Sequence, residues 1–136
     1  MSLSPLEGGC QCGAIRYRTS AAPFASEYCH CGQCRKAVGA VAVAWMDFKR
    51  DQVHWLGPVP TEFASSQHVL RGFCPQCGTS LSFRDDRHPN FLTLSVGSLD
   101  DVNRVTPSYH IYTDDQPHWL HIDDDGPRFG RNRGAQ

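Results

Sequence analysis

Apolar and polar residues alternate along this chain in short runs rather than repeating with a helical period. Ile15 and Tyr17 alternate with Arg16 and Arg18, Val41, Val43 and Trp45 alternate with smaller residues, and Val53 and Trp55 continue the rhythm. Further on, Leu81 and Phe83 alternate with serines, and Leu92, Leu94 and Val96 with Thr93 and Ser95. Successive side chains of an extended chain point to opposite faces, so each run predicts a half-buried antiparallel strand. Turn signals separate the runs: Gly57-Pro58, Asp85-Asp86 through Pro89-Asn90, and Asp124 through Pro127. A single helical turn is expected after Cys34 or around Leu99 to Val102, and nothing longer. No repeat or linker divides the chain. The reading is one mainly β domain over residues 1–136, its core at about 7–129, with a frayed tail from Gly130 to Gln136.

Composition adds two constraints. A chain of 136 residues with 40% hydrophobic residues builds only a modest core, and 12 Gly with 9 Pro imply many turns, so an extra staple is expected. A formal net charge of -1 and a pI near 6.6 give no basic excess for gripping nucleic acid. The longest uncharged, mostly apolar run, Ala37 to Met46, is far short of the roughly 20 residues that span a bilayer. No basic segment leads into an apolar stretch near Met1, so the expected location is cytoplasmic, with no membrane partner.

The seven cysteines supply the staple. They fall at Cys10, Cys12, Cys29, Cys31, Cys34, Cys74 and Cys77, an odd number in tight clusters, which suits metal binding better than a disulfide framework. A closed structural zinc site takes four protein ligands, whereas a catalytic one keeps three and an open position. Seven cysteines can fill one of each. Cys74-Pro75-Gln76-Cys77-Gly78 reads as a zinc knuckle needing a second pair, and Cys10-Gln11-Cys12-Gly13 offers one. Cys29, Cys31 and Cys34 then meet a second ion. Two alternatives stay open: one site from any four cysteines, or a Cys3His site completed by His54, His68, His110, His118 or His121. His30, between two proposed ligands, would face away from the ion in an extended segment. Trp45, Trp55 and Trp119 read as core or pocket wall, and Asp123 to Asp125 as a solvated turn.

At these motifs the sequence resembles the glutathione-dependent formaldehyde-activating enzyme family, which also includes centromere protein V. The matching segments are Gly9-Cys10-Gln11-Cys12-Gly13, Cys29-His30-Cys31-Gly32-Gln33-Cys34-Arg35-Lys36, Phe73-Cys74-Pro75-Gln76-Cys77-Gly78, and the region from His110-Ile111 to Pro117-His118-Trp119. The resemblance implies a β-tent fold of zinc-stapled antiparallel sheets with two zinc ions per chain. Cys10, Cys12, Cys74 and Cys77 would hold a structural ion, and Cys29, Cys31 and Cys34 a catalytic one. It further implies a carbon–sulfur lyase that joins glutathione, as co-substrate, to formaldehyde. This chain is short for the family, and no glutathione-binding residue carries over.

A thiol activated at an open three-cysteine zinc site is the nucleophile such a reaction needs. Arg35 and Lys36, directly after Cys34, are placed to offset the cluster's negative charge. Backbone N–H groups in the cysteine loop, or a histidine such as His30 or His110, could donate to the oxyanion formed on the aldehyde. The expected partner is a small thiol or its aldehyde adduct. The competing reading is a non-catalytic, zinc-stapled protein-interaction module.

Overall fold

The fold, taken from a computed structural model, is described for residues 5–133. Ten strands form two sheets among these residues. The smaller sheet has the order β1-β2-β5, from β1 (Glu7–Gly9), β2 (Arg16–Thr19) and β5 (Val53–Trp55). The larger contains β3 (Ala25–Cys29), β4 (Val43–Lys49), β6 (Thr61–Ala64) and β7 (Val69–Phe73). It also contains β8 (Ser80–Asp85), β9 (Phe91–Ser95) and β10 (Tyr109–Ile111), in the order β10-β3-β4-β9-β8-β7-β6. The chain is therefore mainly β, as its alternating pattern predicts. The helix near Cys34 is α1 (Gly32–Val38), which at seven residues is longer than the expected turn and begins ahead of Cys34; the segment around Leu99 to Val102 is flanked by short 3-10 turns at Val96–Ser98 and Val102–Arg104.

Alternation explains how one sheet serves two purposes. On β4, Met46 and Phe48 are fully buried beside Leu92 and Leu94 of β9, Tyr17 of β2 and Leu6, and this cluster glues the two sheets together. The other face of the same strands carries Val43, Trp45 and Asp47 on β4, and Thr93 and Ser95 on β9. Trp45, Asp47 and Thr93 look into a cleft. One row of side chains feeds the core and the next row builds the site.

All sheet pairs are antiparallel except β10 with β3, which run parallel in the register Tyr109↔Glu27, His110↔Tyr28, Ile111↔Cys29. Parallel neighbours need a long connection, and here nearly eighty residues intervene. The outer edge of β10 is covered by the chain after Pro127: the His110 N–H donates to Pro127 O, and the Phe129 N–H to His110 O, each at 2.9 Å. Covering an edge in this way blocks further strand pairing. Gly130 and Arg131 accept backbone hydrogen bonds from Asp114 and Tyr112, and Arg133 packs its guanidinium 4.7 Å from the Tyr109 ring centre. Residues 1–4 and 134–136 lie outside the described part. No helix among the described residues is long and apolar enough to cross a membrane.

Candidate metal centres

Two turns of similar design bring four cysteines together. The Gly13 N–H donates to Cys10 O at 3.1 Å and the Cys10 N–H to Ile15 O at 3.0 Å. In the second turn the Gly78 N–H donates to Cys74 O at 2.8 Å and the Cys74 N–H to Thr79 O at 3.0 Å. Gly13 and Gly78 have φ of 83° and 79°, which is why glycine follows each cysteine pair. The Gln11 N–H donates to the Thr79 hydroxyl at 3.1 Å and laces the turns to each other. The sulfurs of Cys10, Cys12, Cys74 and Cys77 lie within 4.8 Å of one another, with Cys10 to Cys12 at 3.6 Å and Cys12 to Cys74 at 3.8 Å. Metal–sulfur bonds of about 2.3 Å in a tetrahedron separate sulfurs by about 3.8 Å. The donor set fits an ion of that kind. Thr79, through its hydroxyl first and its backbone second, also pulls the Cys77 thiol down to about 5.

The second centre is built at the start of α1. Cys29 ends β3, Cys31 is the helix N-cap, and Cys34 lies in the first turn. The Cys34 N–H donates to Cys31 Sγ at 3.3 Å, satisfying one of the helix's free amides with a sulfur. The three sulfurs lie within 4.8 Å of one another. Among the described residues no further cysteine, histidine or carboxylate joins them, so the Cys3His alternative does not assemble. Unaided, the trio shares its negative charge unevenly. Hydrogen bonds from Cys29 and then Cys34 hold Cys31 far below the usual thiol range, while bonds with Cys31 and Cys34 push Cys29 far above it. A soft divalent cation would remove that limit and deprotonate all three.

This second centre opens onto a cleft of about 1220 Å³, lined by Cys29, Cys31 and Cys34 and by none of the other four cysteines. Across the cleft face, Phe63, Arg71, Phe83, Thr93 and Asp47 succeed one another as register partners on β6, β7, β8, β9 and β4. Arg71 is only 7% exposed, and its Nη1 and Nη2 each lie 3.6 Å from Cys34 Sγ. The reading of the sequence missed this residue. Its signal was a lone cation inside the otherwise uncharged strand Val69-Leu70-Arg71-Gly72-Phe73.

Deeper in the cleft, Glu27 and Asp47 form a carboxyl pair. The Tyr109 hydroxyl donates to Glu27 Oε1 at 3.0 Å, and the Thr93 hydroxyl to Asp47 Oδ1 at 2.7 Å. Burial first and Asp47 second push Glu27 up to about 9. Tyr112, which packs against the three-cysteine cluster, is the one described non-glycine residue with positive φ, at 57°. That conformation costs of order 1–3 kcal/mol, and it is held by hydrogen bonds between the Tyr112 N–H and Arg131 O and between the Asp115 N–H and Tyr112 O, each at 3.1 Å.

Several expected roles need correction. Arg35 and Lys36 are exposed in the last turn of α1 and neither bonds a cysteine sulfur, although Lys36 lines the cleft; the cation that meets sulfur is Arg71. Because Glu27, Cys29, Tyr109 and Ile111 face the cleft, alternation sends Tyr28, His30 and His110 to the reverse face. There His30 Nε2 and His110 Nδ1 meet at 2.9 Å, and His110 Nε2 donates to Asp124 Oδ2 at 2.9 Å. With neutral rings this order makes His30 Nε2 the donor and leaves its buried Nδ1 as an acceptor without a partner among the described residues. Neither histidine lines the cleft. Asp124, expected to be solvated, is engaged by His110 and Arg128. Trp45 is pocket wall and Trp55 packs on Tyr17, but Trp119 is 69% exposed.

A family model described as glutathione-dependent formaldehyde-activating enzyme matches residues 5–115, a span holding all seven cysteines. The chain belongs to this family. Within it, the chain is 29% identical over 128 residues to a Halomonas elongata protein provisionally named as a glutathione-dependent formaldehyde-activating enzyme, covering 87% of this chain and 81% of that protein. It is 27% identical over 111 residues to an uncharacterised lyase of Schizosaccharomyces pombe, covering 82% and 80%. A Rhodobacter sphaeroides protein of known crystal structure shares the fold with a TM-score of 0.54 at 17% identity, over 75% of this chain and 92% of that one.

Proposed function

We propose that this family member is a zinc enzyme of the carbon–sulfur lyase type, acting on adducts of glutathione or another small thiol with formaldehyde or a small aldehyde. One observation carries the reading: three sulfurs, with no fourth ligand among the described residues, open onto a cleft large enough for a small peptide thiol. The names of the family and of its relatives point to the same reactants. Cys10, Cys12, Cys74 and Cys77 would hold a structural zinc, and Cys29, Cys31 and Cys34 the reactive one. Bound there, zinc supplies the acidity that ionises a thiol substrate at neutral pH.

The chain's own residues do the rest. β3 and the N-cap of α1 fix the three sulfurs, and Trp45 and Phe83 wall off water beside them. As the thiol sulfur bonds to the aldehyde carbon, the carbonyl oxygen gains the electron pair and takes up a proton, while the thiol gives one up. The addition therefore balances with no redox partner.

The test is a calorimetric titration of glutathione into protein carrying two zinc ions, beside Cys34→Ser. Saturable binding lost in the variant is expected. A fully loaded wild-type protein that ignores glutathione and small thiols would overturn the proposal and favour the interaction module.

A further inference from the structure

We infer that Arg71 is the positioning residue that lets the Cys29–Cys31–Cys34 centre accept an anionic substrate sulfur, by fixing a positive charge against Cys34. The inference rests on the function proposed above and names what selects its substrate.

Charge counting states the problem. A divalent ion with three thiolates carries -1, and an incoming thiolate makes that -2. The four-cysteine centre carries the same -2, but there Cys12 is exposed to water. Cys29 and Cys34 are each only 4% exposed, so extra charge at the second centre needs a partner from the protein.

Arg71 has the geometry of that partner. Both Nη atoms converge on Cys34 Sγ at 3.6 Å, Nε donates to the Ser65 hydroxyl at 3.1 Å, and the guanidinium lies 5.1 Å over the Phe83 ring. Its neighbours therefore hold it in one orientation from three sides. These bonds use three of the five N–H donors, and the other two remain on a residue that lines the cleft. A guanidinium keeps its charge at all working pH values, so the attraction does not depend on protonation. Phe63 and Phe83, its cross-strand neighbours, lower the local polarity and strengthen it.

The experiment uses protein loaded with two cobalt ions per chain, whose spectrum reports ligand exchange at the open centre. Two probes are titrated: 2-mercaptoethanol, which enters as an anion, and imidazole, which enters neutral. Wild type should bind both. Arg71→Met should bind the thiol at least tenfold more weakly with imidazole affinity unchanged, and Arg71→Lys should recover part of the loss. Equal thiol binding by wild type and Arg71→Met overturns the role of Arg71 alone. A parallel loss of both probes overturns it too, because a merely structural residue would act that way. A wild type that binds neither probe instead overturns the function on which the inference rests. Should Arg71→Met fail to hold the second ion, retention of that ion by Arg71→Lys supports the charge, and its loss there overturns it.

Discussion

The two cysteine centres use the same ligand chemistry in opposite surroundings. The four-cysteine centre is closed on itself: two glycine-ended turns satisfy their own backbone groups, and its sulfurs contribute nothing to the cleft. The three-cysteine centre is assembled from a strand end and a helix cap, sits against a buried cation, and shares its cleft with a buried carboxyl pair and a strained tyrosine. One region gathers groups that stabilise the fold. The other gathers groups that are costly to bury, which is the usual mark of a working site.

The sharpest way to break this contrast is one substitution in each centre. Cys74→Ser removes a fully buried sulfur and, on the proposed function, should release the ion that would join Cys10 and Cys12 to the Cys74 turn. Binding energy at such sites is largely folding energy, so the loss should reach several kcal/mol, against a total stability of about 5–15 kcal/mol for an ordinary domain. Cys34→Ser should lose one ion per chain and all thiol binding while lowering stability by only about 1 kcal/mol. Thermal unfolding with metal analysis on both variants checks this, and equal destabilisation would erase the distinction between staple and site.

A smaller effect of opposite sign is expected at Glu27. Its folded pKa of about 9 stands above its ordinary value of 4.5, so between those values the folded chain holds a proton that the unfolded chain has released. The contribution of Glu27 to stability is therefore greatest below about pH 4.5 and is lost as pH rises toward 9. Glu27→Gln keeps an oxygen to accept from Tyr109 and cannot ionise. It should raise stability at pH 7–8 on the order of 1–3 kcal/mol and flatten the slope across that window. Denaturant unfolding at several pH values measures both; an unchanged slope would mean that Glu27 is ionised in the fold.

What the sequence revealed about these regions follows from how local each signal is. The cysteine turns were readable because ligands and glycines lie within four residues, and β4 and β9 because each alternates against one apolar core. β3, β7 and β10 escaped notice because their cleft faces carry Glu27, Arg71 and Tyr109 where alternation expects apolar residues. The meeting of His30 with His110 depends on a parallel pairing across eighty residues, which no local pattern encodes. Trp119 misled for the converse reason: its size suggested burial, but it sits beyond the last strand and is 69% exposed.

The smallest expected effect separates Arg35 from Arg71 and tests position in sequence against position in space. Arg35 is next to Cys34 in the chain, yet the helix turns it to solvent near its C-terminal end, where a cation offsets the carbonyl dipole by about 0.3–1 kcal/mol. Arg71 is far from Cys34 in the chain and touches its sulfur. Arg35→Ala should therefore lower stability by no more than about 0.5 kcal/mol, and leave metal content and thiol affinity at wild-type values. Water screens a charge in that position, so its field at the sulfurs is weak whatever its distance along the chain. A loss of thiol affinity comparable to that of Arg71→Met would place the decisive cation on the helix instead of the sheet.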